Sequence, residues 1–132
     1  MLFRVDPASP VPLGDQIAAC VRGAVAEGTA GPGDRLPPAR ELAGSLGVNM
    51  HTVLRGYQKL REEGLIELRR GRGAAVAGGA SPGRARLARA ARQVAEEGRA
   101  LGMADEAILG LVRAALAAKG PPPLPGPGDG RP

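Results

Sequence analysis

Apolar residues recur at helical spacing along most of the chain and give way to short unbroken runs in one place. In "PLGDQIAACVRGAVAEG", residues 12–28, Leu13, Ile17, Val21 and Val25 follow one another every four positions, the stripe of one helix face. Pro12 suits a first helical turn and Gly28 an end. "GPGDRLPP", 31–38, is punctuated as a turn. A second, short helix is predicted over 38–47, with Leu42 and Leu46 on one side and Gly47 as its stop. Asn49 can cap a third helix over 50–64, because its side-chain oxygen can accept a backbone N–H of the next turn. Val53, Tyr57 and Leu60 fall at i, i+4 and i+7 and are predicted to face a core.

After Gly64 the period changes. Leu65, Ile66 and Leu68 precede "RRGRG", residues 69–73, and Ala74, Ala75 and Val76 follow it, the pattern of a β-hairpin. "LFRV", 2–5, offers a third strand. Beyond a flexible break at 77–83, helical spacing returns over 84–102 and 104–120. Ile108, Leu111, Val112 and Leu116 make a broad apolar stripe, and Leu87, Val94 and Leu101, seven apart, make a candidate interhelical seam. "GPPPLPGPGDGRP" is expected to be a disordered tail. The organisation expected is a mainly α chain: a winged helix-turn-helix (three helices plus a β-hairpin wing) over 1–79, a helical dimerisation region over 80–118, and a Pro/Gly tail over 119–132.

Composition narrows the function. The 132 residues carry a net charge of +5, which favours a polyanionic partner once the charge is located. Phe3 and Tyr57 are the only aromatic residues, too few for a base-stacking surface for single strands. One cysteine, Cys20, and one histidine, His51, exclude an internal disulfide and a zinc site of several Cys/His ligands. Cys20, near the first stripe, is expected to be a small buried hydrophobe. The N-terminal stretch lacks the apolar core of a signal peptide, and no run approaches the ~20 apolar residues of a membrane span. A soluble cytoplasmic protein without membrane association is expected. No nucleophile–base pair, paired carboxylates or metal cluster stands out, so neither enzyme activity nor a cofactor is expected.

Two helices joined at Gly47-Val48-Asn49 form a helix-turn-helix, whose second helix lies in the DNA major groove and reads base edges with its N-terminal residues. With Val53, Tyr57 and Leu60 inward and ~100° per residue, His51, Arg55 and Gln58 point outward, flanked by Thr52 and Lys59. That face reads as donors and cations only, without a carboxylate before Glu62, which suits a groove of acceptors and phosphates. A hairpin directly after such a helix is a wing. Gly71 and Gly73 permit a sharp turn close to DNA, and Arg69, Arg70 and Arg72 would lie on phosphates or in the minor groove. As a nucleotide loop, Gly71-Arg72-Gly73 lacks a Lys-Ser/Thr pair and a following helix. Arg84, Arg86, Arg89 and Arg92 of the fourth helix read either as a solvated face or as an extension of the positive field.

"PLGDQIAACVRGAVAEG", "GPGDRLPPARELAGSLGVNMHTVLRGYQKLREEGLI" and "RRGRGAAV" together resemble the N-terminal winged-helix domain of the GntR family of bacterial transcription regulators, over roughly residues 10–77. The short two-helix remainder resembles the YtrA-type branch, in which the corresponding segment serves dimerisation. The resemblance implies DNA contacts at Arg40, at Asn49 to Thr52 and at the wing glycines. It departs at Met50 and Leu54, where many members carry arginine, and Arg55 is expected to compensate in part. The expected function is sequence-specific binding of double-stranded operator DNA by a homodimeric repressor, with no effector ligand assigned. The alternative is a winged-helix protein-interaction module without DNA binding.

Overall fold

The computed structural model describes residues 1–71 and 73–118. Arg72 and the expected tail over 119–132 lie outside the described residues. The elements run α1 (Leu13–Glu27), α2 (Ala39–Leu46), α3 (Met50–Glu62), β1 (Ile66–Arg69), β2 (Gly73–Val76), α4 (Pro82–Ala100) and α5 (Asp105–Ala117). This is a mainly helical winged helix-turn-helix followed by two further helices. The chain divides into two compact units, the first spanning Met1–Arg92 and the second beginning at Gln93.

In the first unit α1 and α3 cross in contact at the centre of the core. Ile17, Val21 and Val25 of α1 meet Val53, Tyr57 and Leu60 of α3, joined by Leu36, Leu42, Leu65 and Val76. The crossing is tight because glycines face each other: a Cβ on Gly56 would stand 2.7 Å from the Gly14 carbonyl oxygen. Tyr57 keeps its polar end satisfied, donating its hydroxyl to the Pro37 carbonyl at 2.6 Å, and burial pushes its pKa well above the ordinary tyrosine range. Gly47, at φ 68°, takes the left-handed conformation that ends α2 and turns the chain into α3.

A charged side chain is also enclosed. Arg22 of α1 is buried and donates from Nε and Nη2 to both carboxylate oxygens of Glu63, at 2.8 and 2.7 Å. Glu63 ends α3, so this fork ties the C-terminus of α3 to α1. Arg84 of α4 adds a hydrogen bond from Nε to the Glu63 carbonyl at 3.0 Å. Ala85 is fully buried beside it, so the first turns of α4 belong to this core.

β1 and β2 pair antiparallel, Ile66 opposite Val76 and Arg69 opposite Gly73. The third line of the sheet is not the N-terminal segment. Residues 33–36 run along β2: Leu36 N–H donates to the Ala74 carbonyl at 2.9 Å, and Val76 N–H to the Asp34 carbonyl at 2.8 Å. "LFRV" forms no strand. It lies against α1 instead, where the Arg4 N–H meets Cys20 Sγ at 3.5 Å and the thiol donates to the Arg4 carbonyl at 3.4 Å. Cys20 is accordingly half-buried rather than enclosed.

In the second unit, the end of α4 and α5 meet where Ile108 lies against Gly98. Leu101–Ala104 makes the turn, with Met103 N–H bonded to the Gly98 carbonyl at 3.0 Å. Of the stripe expected on the fifth helix only Ile108 is covered; Leu111, Val112 and Leu116 are exposed, as are Leu87, Val94 and Leu101 of the expected seam. Among the described residues no helix is long and apolar enough to cross a membrane.

Candidate nucleic-acid interface

The candidate interface is built on α3. Asn49 caps it as expected, its Oδ1 accepting the His51 N–H at 2.8 Å. The cap leaves Asn49 exposed and presents His51 on the first turn, also exposed. Arg55 and Gln58 are exposed one and two turns further on. Arg40 is exposed near the start of α2, where the chain enters the helix-turn-helix.

Two expectations about this face need correction. Thr52 is only 8% exposed, not outward. α3 buries a second row, Thr52 and Gly56, against the start of α1, where a Cβ on Gly14 would stand 3.2 Å from the Thr52 carbonyl oxygen. The Thr52 hydroxyl is left to accept a long 3.4 Å hydrogen bond from Arg55 Nη2, so Thr52 steers Arg55.

The face is also not restricted to donors and cations. Leu54 is 43% exposed on it and, with Leu68 of β1 and Pro37, lines a shallow apolar cleft of about 160 Å³ between α3 and the wing.

α3 itself carries no carboxylate before Glu62, but a neighbouring helix supplies one. Asp15 of α1 brings one in from the side: Lys59 Nζ stands 2.5 Å from its Oδ1, and Arg92 Nη2 stands 3.0 Å from its Oδ2. Oδ1 has no aligned hydrogen bond, so the Lys59 contact is an ion pair by proximity. Burial opposes ionisation of Asp15, but Lys59 and Arg92 outweigh it and hold the carboxyl below its ordinary pKa. This triad joins residues 44 and 77 positions from Asp15 along the chain, so no local spacing announced it.

In the wing, Arg69 and Arg70 are exposed, and Gly71 and Gly73, both at φ 75°, make the reversal that side-chain-bearing residues resist. Arg69 is partly neutralised by Glu67 at 3.4 Å, leaving Arg70 as the unencumbered described cation of the tip. Of the fourth-helix arginines, Arg84 and Arg92 are taken up within the first unit, by Glu63 and Asp15. They are neither a simple solvated face nor free charges.

Residues 13–76 match the family described as bacterial regulatory proteins of the gntR family. The HTH-type transcriptional regulator Rv1152 of Mycobacterium tuberculosis is 40% identical over 101 residues, which span 76% of this chain and 83% of that protein. The chain belongs to the GntR family. The HTH-type transcriptional repressor YtrA of Bacillus subtilis is 40% identical over 72 residues, covering 54% of this chain. That match spans 55% of the Bacillus protein's length. Among solved structures, YtrA from Sulfolobus acidocaldarius, a GntR-family transcription factor, superposes with a TM-score of 0.54 at 40% identity. It covers 58% of this chain and 81% of its own. The family fits the helix-turn-helix and wing geometry. Among the described residues, no three His, Cys, Asp or Glu side chains gather into a metal site.

Proposed function

We propose that the chain is a sequence-specific DNA-binding repressor of the YtrA-type branch, acting on double-stranded operator DNA as a homodimer. The observation that carries this reading is the capped, solvent-facing N-terminal half of α3, with His51, Arg55 and Gln58 exposed together beside a wing bearing Arg69 and Arg70. In the major groove His51 and Arg55 would read base edges, Arg55 alone having the planar fork for guanine O6 and N7. Asn49, Arg40 and Lys59 would lie against phosphates, and Arg70, Gly71 and Gly73 would bring the wing to backbone or minor groove, together with Arg72. Thr52 acts at one remove, through the Arg55 guanidinium.

A single recognition helix and wing bury too little surface for tight specific binding, which calls for two copies on half-sites about one helical turn apart. The exposed Leu101, Leu109, Leu111, Val112 and Leu116 supply an apolar surface suited to self-association. The repressor role is taken from the Bacillus relative's name and from simple occlusion of a promoter by a bound dimer.

Selection of sites from a random duplex pool tests the reading. A palindromic consensus is expected, with Arg55→Ala losing preference at one base pair per half-site and Arg40→Ala weakening binding without changing the consensus. Binding should fall roughly 10³–10⁵-fold between 50 and 200 mM salt for a dimer making about 6–10 phosphate contacts. Failure to retain any duplex at low salt would overturn the reading in favour of a protein-interaction module.

A further inference from the structure

We infer that Arg92 is a positioning residue for DNA binding: by sharing the Asp15 carboxylate, it releases the charge of Lys59 on α3 toward DNA phosphate. The inference rests on the DNA-binding reading above.

Asp15 sits in the first turn of α1, with its side chain only 11% exposed and held between two cations from different helices. Lys59 keeps 40% of its side chain exposed, so it stands at the edge of solvent. It borders a hollow of about 340 Å³ between the start of α1 at Leu13–Gly14 and Arg55, one turn earlier on α3. The charges around this hollow decide its sign. With Arg92 in place, Asp15, Lys59 and Arg92 sum to one positive charge, and Arg55 adds a second. Without Arg92, Asp15 and Lys59 cancel, and Lys59 becomes the sole counterion of a carboxylate that is poorly hydrated. Moving Lys59 to a phosphate would then strand a largely buried anion, a cost that opposes the contact. Arg92 removes that cost, because Asp15 stays paired when Lys59 leaves. Arg92 lies on α4, outside both the helix-turn-helix and the wing.

The test is a salt titration of the full chain on fluorescent duplex DNA of mixed sequence, since phosphate contacts do not depend on sequence. Arg92→Gln is expected to reduce the log–log salt slope by about one per protomer and affinity roughly fivefold per protomer near 0.15 M salt, matching Lys59→Gln. Arg92→Lys should restore the wild-type slope. Asp15→Asn should raise affinity, and Asp15→Asn with Arg92→Gln should recover the slope lost in Arg92→Gln alone. A merely structural role for Arg92 predicts the opposite, because the double variant removes yet another tie between α1 and its neighbours. Lys59→Gln with Arg92→Gln should bind no more weakly than Lys59→Gln.

An Arg92→Gln slope equal to wild type in a chain with an unchanged melt would overturn the inference while leaving DNA binding intact. Additive loss in the Lys59/Arg92 double variant would overturn it too, showing Arg92 on DNA directly. Absence of duplex binding by wild type would remove the reading beneath it. If Arg92→Gln fails to fold, the rise expected for Asp15→Asn decides, and unchanged or weaker binding there counts against the inference.

Discussion

The two compact units of this chain treat their apolar residues in opposite ways. In Met1–Arg92, Ile17, Val21, Val25, Val53, Leu60, Leu65 and Val76 are all but sealed from solvent, and even a charged side chain, Arg22, is enclosed, paired with a half-buried Glu63. From Gln93 to residue 118 the only buried side chain is that of Ile108, while Leu101 and Leu116 are 79% and 80% exposed. Both segments have the same helical periodicity. Periodicity therefore identifies a face that wants burial, but not whether the chain itself can bury it. The first unit has enough non-local partners: two crossing helices, a hairpin and the first turns of α4. Among its described residues the second has one short helix pair, which covers one isoleucine and leaves the other large apolar side chains exposed.

The largest effect should come from separating the two. A chain ending at Arg92 keeps every contact described for the first unit, including those of Arg84, Ala85 and Arg92. It should remain folded but monomeric and lose roughly 10²–10⁴-fold in operator affinity, the effect of losing a linked second site. Light scattering and a binding titration check both halves. A dimeric shortened chain would place the interface in the first unit and break the contrast.

Next in size are truncations of leucines. Leu60→Ala, at a fully buried site, should cost about 2–5 kcal/mol in urea unfolding. Leu116→Ala should leave the unfolding of dilute protein almost unchanged and instead weaken self-association. Equal costs at the two sites would show that α5 is buried in the folded monomer.

Glycine substitutions sharpen the same comparison with smaller effects. Gly56→Ala forces a methyl to 2.7 Å from the Gly14 carbonyl oxygen and should destabilise by about 1–3 kcal/mol. Gly110→Ala, in the middle of α5 with open space around it, should stabilise by about 0.5–1 kcal/mol through helix propensity. Thermal melts of both variants suffice.

The smallest effects are expected from titration, and both lie in the first unit. The carboxyl of Asp15 has a lowered folded pKa, so its contribution to stability is present above about pH 4 and disappears as pH falls through the folded value. Asp15→Asn should flatten the acid limb of the stability curve. Tyr57 is shifted the other way. Its folded pKa is raised, so stability is intact below about pH 10 and falls above it, as the unfolded chain ionises first. Tyr57→Phe should remove that alkaline loss, at the expense of the hydrogen bond to Pro37. Unfolding midpoints across pH measure both.

Much of the frame was legible in the sequence because its signals are local. The stripe Ile17, Val21, Val25, the Asn49 cap, the stop at Gly47 and the glycine-turned hairpin each depend on residues within a few positions, and each stands where its spacing predicted. His51 and Arg55 are exposed for the same reason: they lie opposite Val53, Tyr57 and Leu60 on one helix wheel. What only the tertiary structure decided involves partners far apart in the chain. Thr52 is covered because Gly14 lets α1 approach it. "LFRV" is no strand: its backbone at Arg4 pairs with Cys20 of α1, 16 positions away. Arg22, Arg84 and Arg92 have assigned partners because Glu63 and Asp15 arrive from other elements. A helical wheel shows which way a side chain points, whereas charge pairing and close backbone contact depend on which segments meet. That is set by packing the whole core at once.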